Sequence, residues 1–217
     1  VPPGSSRSWS TGRGTITVDD VLASPLVSSP FNILDCCPQS DGAAAVVLCR
    51  SDLARQFTDK PVYIAGVGLA TEPLYYGEKQ VMTGWAATTA ASRRAYAMAG
   101  ASPSDIDVAE VHDCFTGTEI MNYEDLGFCE KGAGGKLIES GETTLEGRIP
   151  VNPSGGLLAK GHPIGATGVA QIVELYRQLR GEAGDRQVRL RSGLGLQHNV
   201  GGYSVGLSVV TVLSRDE

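Results

Sequence analysis

Three histidines and one cysteine carry the residue types that move protons and hold developing negative charge. His112 and Cys114 stand two apart in the run HDCF at 112–115. His162 stands in GHP at 161–163, and His198 opens the run HNVGG at 198–202. If the strand before His112 continues through it, period-two alternation puts His112 and Cys114 on one side. A thiol beside a charged imidazole has a lowered pKa and exchanges protons near neutral pH. Two imidazole N–H groups converging on one point hold an oxyanion. The same residues also have a plain reading. Cys114 is then a small buried hydrophobe, and His112 a hydrogen-bonded residue at a strand end. For Cys36, Cys37, Cys49 and Cys129 the buried, inert reading is preferred.

These residues need elements to position them. His162 lies in residues 147–168, GRIPVNPSGGLLAKGHPIGATG, rich in glycine and proline. Such a run reads as a shaped loop that is neither helix nor strand until a helix opens near Pro163. Helical spacing of Ala166, Val169, Ala170, Val173 and Tyr176 marks that helix over 165–179, ended by Arg180 and Gly181.

Before it, residues 1–14 read as a polar loop, and a short helix starts around Asp19. The apolar run 43–49 has strand length and is expected to be buried on both faces. Ser51 is a possible cap for a helical turn over 51–57. A strand at 62–67 is expected to end at Gly66 and Gly68. The helix over 84–98 shows a small-residue face at Ala86, Ala90 and Ala97, with Gly100 as its C-cap. A strand at 108–111, a helix at 116–126 and a glycine-rich excursion over 128–148 follow. Strands at 188–196 and 203–213, joined by a tight connection at 197–202, read as an antiparallel hairpin. The sum is a layered α/β domain with a mixed sheet.

Composition limits the function classes. The chain has 217 residues, 41% of them hydrophobic, but only 6% aromatic, against 28 glycines. Alanine and glycine must therefore fill much of the interior, which implies closely packed helices and strands. The net charge is −6 and no basic cluster stands out, so nucleic acid and anionic membrane surfaces are not expected partners. No apolar run reaches transmembrane length. The five cysteines form no regular framework, which suggests free thiols in a reducing compartment. No CxxC pair and no zinc-type His/Cys spacing is present, so no metal site is expected.

Three motifs together are specific: SDGAAAVVL at 40–48, HDCF at 112–115 and NPSGGLLAKGHPIGATG at 152–168. With weaker support from LRGEAGDRQV at 179–188, the chain resembles the thiolase superfamily, most closely the sterol-carrier-protein-type thiolases, from about residue 16 to 212. The resemblance implies an α/β thiolase fold layered αβαβα. Residues 1–58 would end the N-terminal domain and residues 59–217 would form the C-terminal domain. It implies homo- or hetero-oligomers acting on acyl-CoA, with coenzyme A as substrate and no covalently bound cofactor. The reaction is 3-ketoacyl-CoA thiolysis or the reverse Claisen condensation. His162 then activates a nucleophilic thiol and contributes to an oxyanion hole. His112 is the second donor, Cys114 the acid/base thiol, and Asp113 orients the loop. Asn152, Gly155 and Gly161 resemble the structural loop beside CoA, and Gly201 or Gly202 the backbone donor of a second oxyanion hole. None of the five cysteines sits in the nucleophile's context. The resemblance therefore implies a missing N-terminal thiolase half or a partner chain. A thiolase-fold aldolase acting on steroid acyl-CoA side chains and a non-catalytic thiolase-like subunit are the alternatives. Residues 214–217 are not a peroxisomal Ser-Lys-Leu signal, which points to the cytoplasm.

Overall fold

The computed structural model describes residues 16–79, 81–202 and 206–217. The loop expected over 1–14 and the strand start expected at Tyr203 lie outside these. In chain order the elements are α1 (Val18–Ala23), β1 (Leu26–Ser28), β2 (Phe31–Asn32), α2 (Ser51–Ala54), β3 (Tyr63–Thr71), α3 (Ala86–Ala99) and β4 (Val108–Glu110). Then come α4 (Thr116–Asp125), α5 (Gly134–Glu139), α6 (Gly156–Lys160), α7 (Thr167–Arg180), β5 (Leu194–Gly201) and β6 (Leu207–Ser214).

The main sheet has the order β3-β6-β5-β4. β5 and β6 pair antiparallel, as the hairpin reading expects, and β4 joins β5 in parallel. Helix α3 covers β3 and β6, while α7 packs on β4 and β5. Successive residues of β6 feed opposite faces: Val212 belongs to the larger core with Ala91, Ala95 and Leu196, and Leu213 to the smaller core with Leu175 and Leu179. The result is a mixed α/β fold with a central sheet flanked by helices.

Small residues set the spacing between β3 and α3. A Cβ on Gly68 would stand 1.9 Å from the carbonyl oxygen of Ala91, and one on Gly66 would stand 2.2 Å from that of Ala95. The two glycines therefore do not end the strand, as expected from their type. They lie within it, where the helix backbone comes too close for any side chain. The buried face of α3 is Ala87, Ala91 and Ala95, with Thr88 and Ser92. It lies one position beyond the face expected at Ala86 and Ala90. Gly100 closes the helix in the left-handed conformation, φ 63°.

Other expectations change. Residues 43–49 have no regular structure and are largely exposed, Val47 at 97% and Cys49 among them. An apolar run becomes a strand only where a neighbour takes its backbone groups, and none does so among the described residues. Cys36, Cys37 and Cys129 are half-buried and not fully interior. The cap position of α2 is Arg50, not Ser51. Helix α5 lies inside the glycine-rich excursion 128–148. It begins with two glycines, poor helix formers that hide it from a propensity reading. The short α6 interrupts the loop read as non-helical up to Pro163. Residues 188–193 are irregular, and residues 197–201 lie within β5 and are not a connection. Helix α7 turns Gln171, Glu174, Leu175, Gln178 and Leu179 inward, and leaves Val169, Ala170 and Val173 half-exposed and Tyr176 exposed. Among its buried polar groups Gln178 is satisfied locally: it donates to the carbonyl of Arg186 at 2.8 Å and accepts from the Val188 N–H at 3.0 Å.

The β3–α3 contact gives the first prediction. Gly68→Ala forces strand and helix apart and costs about 3 kcal/mol, the upper range for overpacking. Urea unfolding of this variant beside Gly77→Ala, where an added Cβ meets nothing within 4 Å, measures the difference. Equal midpoints for the two variants would remove the close-packing account.

Candidate functional site

The sequence run Glu110-Val111-His112-Asp113 leaves the C-terminal end of β4, and every member is held. Its partner is the loop 150–158, which lies along the free edge of β4. Ala109 N–H donates to Pro150 at 3.0 Å, and Asn152 N–H donates back to Ala109 at 2.8 Å. From there three side chains fix the two segments. Asn152 Oδ1 accepts from Val111 N–H at 2.8 Å. The Glu110 carboxyl accepts from Ser154 N–H at 3.1 Å and from its hydroxyl at 2.7 Å. Asp113 accepts from the N–H groups of Leu157 and Leu158, at 2.7 and 3.3 Å. These last two are open donors in the first turn of α6, so a carboxyl is the natural partner. Gly156 sits at φ 61°, and a Cβ there would stand 2.0 Å from Asp113 Oδ2. That close approach is why the loop needs glycine at this place.

The clamp sets the two histidines facing each other. The carbonyl of His112 accepts from Asn122 Nδ2 at 2.9 Å. His162 N–H donates to the carbonyl of Pro38 at 2.9 Å, and its ring Nδ1 lies 2.7 Å from the Thr167 hydroxyl. The two imidazoles meet edge to face, ring centroids 4.9 Å apart at 88°. His112 is buried and His162 half-buried. Burial, and next the proximity of His162, holds the pKa of His112 down to about 4, with Asn199 hydrogen-bonding in the opposite sense. Burial also lowers that of His162. Both rings are therefore neutral near pH 7, where a neutral imidazole offers one N–H donor and one basic nitrogen.

Cys114 is half-buried, its sulfur 3.7 Å from Thr118 Oγ1. The strand does not continue through it, since β4 ends at Glu110. The thiol pKa is raised, chiefly by burial, and not lowered as a charged imidazole neighbour would make it. The reason is that both histidines are neutral. At neutral pH Cys114 is a thiol with a proton to give. Cys37 lies beside it: its N–H donates to the Cys114 carbonyl at 2.9 Å, and burial pushes its own thiol up to about 11.

The remaining sequence-singled residues fall as follows. Asn152, at φ 51°, and Gly155, at φ 95°, are buried and shape the loop from within. Gly161, at φ 89°, is buried against Ser40 and precedes His162. Gly201 ends β5, paired with Leu207, and an added Cβ there meets open space. His198 is not in a turn. It is fully buried in β5, its Nε2 3.1 Å from Thr88 Oγ1, and burial followed by the nearness of His112 lowers its pKa to about 3. Asn199, Asn122, Cys37 and Thr167 were not legible as site residues. The parallel register Glu110↔Gln197 leads toward Asn199 opposite His112, but only once the strands are paired. Among the described residues no cluster of three or more His, Cys, Asp or Glu side chains is placed to hold a metal ion. No helix among them is long and apolar enough to cross a membrane.

Comparison with known proteins identifies the family and the fold. The family description "Thiolase C-terminal domain-like" matches residues 68–215. The acetyl-CoA acetyltransferase of Methanothermobacter thermautotrophicus is 50% identical over 200 residues, covering 92% of this chain and 52% of that protein. Sterol carrier protein 2 of Bos taurus is 45% identical over 204 residues, covering 92% of this chain and 37% of that protein. The chain thus spans about half or less of the length of these curated relatives. A solved structure titled Ltp2-ChsH2(DUF35) aldolase superposes with a TM-score of 0.79 at 26% identity, over 93% of this chain and 52% of that one.

The buried histidines give a pH prediction. His198 has a folded pKa near 3, below its ordinary value of 6.5. The unfolded chain therefore binds a proton that the folded one refuses, and stability falls as pH drops below about 6.5 toward the folded value. Between pH 7 and pH 5 this single group removes roughly 2 kcal/mol. In His198→Gln that share of the acid sensitivity disappears, whatever the constant cost of losing the Thr88 contact. Urea midpoints at the two pH values for both proteins measure it. An unchanged difference between pH 7 and pH 5 would mean that His198 does not stay neutral in the fold.

Proposed function

The chain belongs to the thiolase family through its C-terminal domain, and we propose that it carries the proton-transfer and oxyanion residues of an acyl-CoA site that cleaves or forms a carbon–carbon bond beside a thioester. The observation that carries the proposal is the edge-to-face meeting of His112 and His162 at 4.9 Å, with the protonated thiol of Cys114 on the same connection out of β4.

In the thiolytic direction the chemistry runs as follows. A nucleophilic thiol gives its proton to His162, and its sulfur attacks the 3-keto carbon of a 3-ketoacyl-CoA. The carbonyl electron pair moves to oxygen. It returns as the C2–C3 bond breaks, leaving an acyl thioester on the nucleophile and the enolate of acetyl-CoA. N–H groups of His162 and His112 hold the enolate oxygen. The Cys114 thiol protonates C2, and acetyl-CoA leaves. The Cys114 thiolate then takes the proton of a second CoA thiol, whose sulfur attacks the acyl thioester, and the freed nucleophile recovers its proton from His162. A raised thiol pKa suits Cys114 to this acid role and not to nucleophilic attack, which needs the thiolate. Asn152, Gly155 and Gly161 act here by shaping the loop, and Gly201 N–H serves a second oxyanion.

The nucleophile, in this reading, comes from outside the 217 residues, through the rest of a thiolase-type N-terminal domain or a partner chain. Residues 1–58 end that domain and residues 59–217 form the C-terminal one. The exposed apolar residues 46–48 and the half-exposed Val169, Ala170 and Val173 of α7 support a further body packed here. A second reading, retro-aldol cleavage of a steroid acyl-CoA side chain, is favoured by the likeness to the solved aldolase. It too develops an enolate oxygen beside the thioester, so it uses the same donors but needs no acylated cysteine. A non-catalytic thiolase-like subunit is the third.

The test uses the complete assembly and labelled acyl-CoA. Cys114→Ala abolishes turnover while still allowing the nucleophile to become acylated. His162→Ala impairs acylation as well. Trapped acyl-enzyme is located by peptide mass spectrometry. Label on Cys114 itself, or full turnover without it, overturns the assignment. CoA-independent cleavage of a 3-hydroxyacyl-CoA with no trapped acyl-enzyme selects the aldolase reading.

A further inference from the structure

We infer that Thr167 is a positioning residue for His162: its hydroxyl fixes the neutral imidazole as the Nδ1–H tautomer and leaves Nε2 as the proton acceptor. The inference comes from counting protons. Thr167 Oγ1 lies 2.7 Å from His162 Nδ1 and 3.1 Å from the carbonyl oxygen of Pro163. A hydroxyl has one proton and a carbonyl oxygen has none. If the hydroxyl gave its proton to Nδ1, its oxygen would face the Pro163 oxygen with no hydrogen between them. If it gives the proton to Pro163, Nδ1 must carry its own proton and donate it to Oγ1. Only this second arrangement puts a hydrogen in both contacts.

The local structure keeps the hydroxyl in place. Thr167 is buried at the first residue of α7. Its bond to a carbonyl four residues earlier selects one side-chain rotamer. Pro163 follows His162 directly and has a fixed φ, so donor, hydroxyl and acceptor belong to one six-residue segment, 162–167. His162 is also tied from the other side, where its N–H donates to the Pro38 carbonyl and residue 39 bridges to it. The ring can neither slide nor flip without breaking the Nδ1 contact.

What this does for catalysis rests on the acyl-CoA reading above. With Nδ1 protonated, Nε2 is free to take a thiol proton. The imidazolium that results has an Nε2–H in place for the oxygen that then becomes negative. The opposite tautomer would present an N–H to the thiol and accept nothing.

The test is nitrogen-15 NMR of the full chain labelled at histidine. Long-range correlations distinguish the two neutral tautomers, and His162→Gln assigns the signal among the three histidines. The expected result at neutral pH is the Nδ1–H pattern for His162. Thr167→Val, which keeps the shape and removes the hydroxyl, moves the ring toward Nε2–H. Thr167→Ser restores the original pattern. An Nε2–H pattern in the unsubstituted protein overturns the inference by itself, even if the valine variant does not fold. So does an unchanged pattern in a folded Thr167→Val. In the complete assembly, Thr167→Val slows acylation of the nucleophile at least about tenfold, and serine rescues it. The expected NMR pattern with no acyl-enzyme in any protein would leave the tautomer standing and sink the functional reading instead.

Discussion

The structure depends on the edge of one three-residue strand. β4 is paired with β5 on one side only, and its other side is closed by the backbone of residues 150–152. From that edge Glu110, Val111 and Asp113 reach Ser154, Asn152 and the opening turn of α6. Two loops distant in sequence are thereby made one body. The fit is tight enough that Gly156 has no space for a β-carbon. An exposed sheet edge is ordinarily a liability. Here closing it brings His112 and His162 together, so edge protection and site assembly are the same set of hydrogen bonds.

The clamp has an electrostatic cost. Glu110, Asp113 and Glu119 are buried near one another, and burial raises the pKa of each above the usual carboxyl range. Such acids are tolerable because each has specific partners. Lys160 lies 3.6 Å from Glu110, backbone N–H groups meet Asp113, and the Tyr123 hydroxyl donates to Glu119 at 2.7 Å. The same burial holds His112 and His198 neutral. Burial thus pushes the acids up and the bases down. A neutral His112 cannot depress the Cys114 thiol, which explains why the expectation of a lowered pKa failed while proton donation remained open to it.

Much of this was legible in the sequence. The HDCF and GHP runs mark the residues that meet, and alternating or helical spacing marks β4, α3 and the β5–β6 pair. Misses arose where tertiary packing overrides local pattern. Gly66 and Gly68 look like strand breakers but are spacers beneath α3. The run 197–202 looks like a turn because Asn and Gly dominate it, yet Gln197 and Asn199 are strand residues whose amides lie at Gln171 of α7, at 3.0 and 3.5 Å. On α7 Val169, Ala170, Val173 and Tyr176 of the expected stripe are half-exposed or exposed, while Gln171, Glu174 and Gln178 turn inward beside Leu175 and Leu179. The sheet surface offers hydrogen-bond partners there, which a periodicity reading does not see. Thr167 lies inside the 152–168 motif but has no role legible there; only its distances to His162 Nδ1 and to the Pro163 carbonyl give it one.

The region around the site differs in kind from the site itself. The positions that hold His112 and His162 are completed by groups within this chain, whereas Val47, Leu48 and the outer faces of β3 and α7 leave apolar side chains in solvent. The histidine shifts and that of Cys114 share one leading cause, burial. Covering a half-buried group further removes water from it and penalises its charged form more. Any body that packs over these apolar surfaces and also closes the mouth of the site therefore pushes each group in the direction it already leans. His162 becomes a weaker base, and Cys114 keeps its proton more firmly. The neutral His162 and the protonated Cys114 thiol are thus favoured by this chain's own packing, and enclosure favours both further.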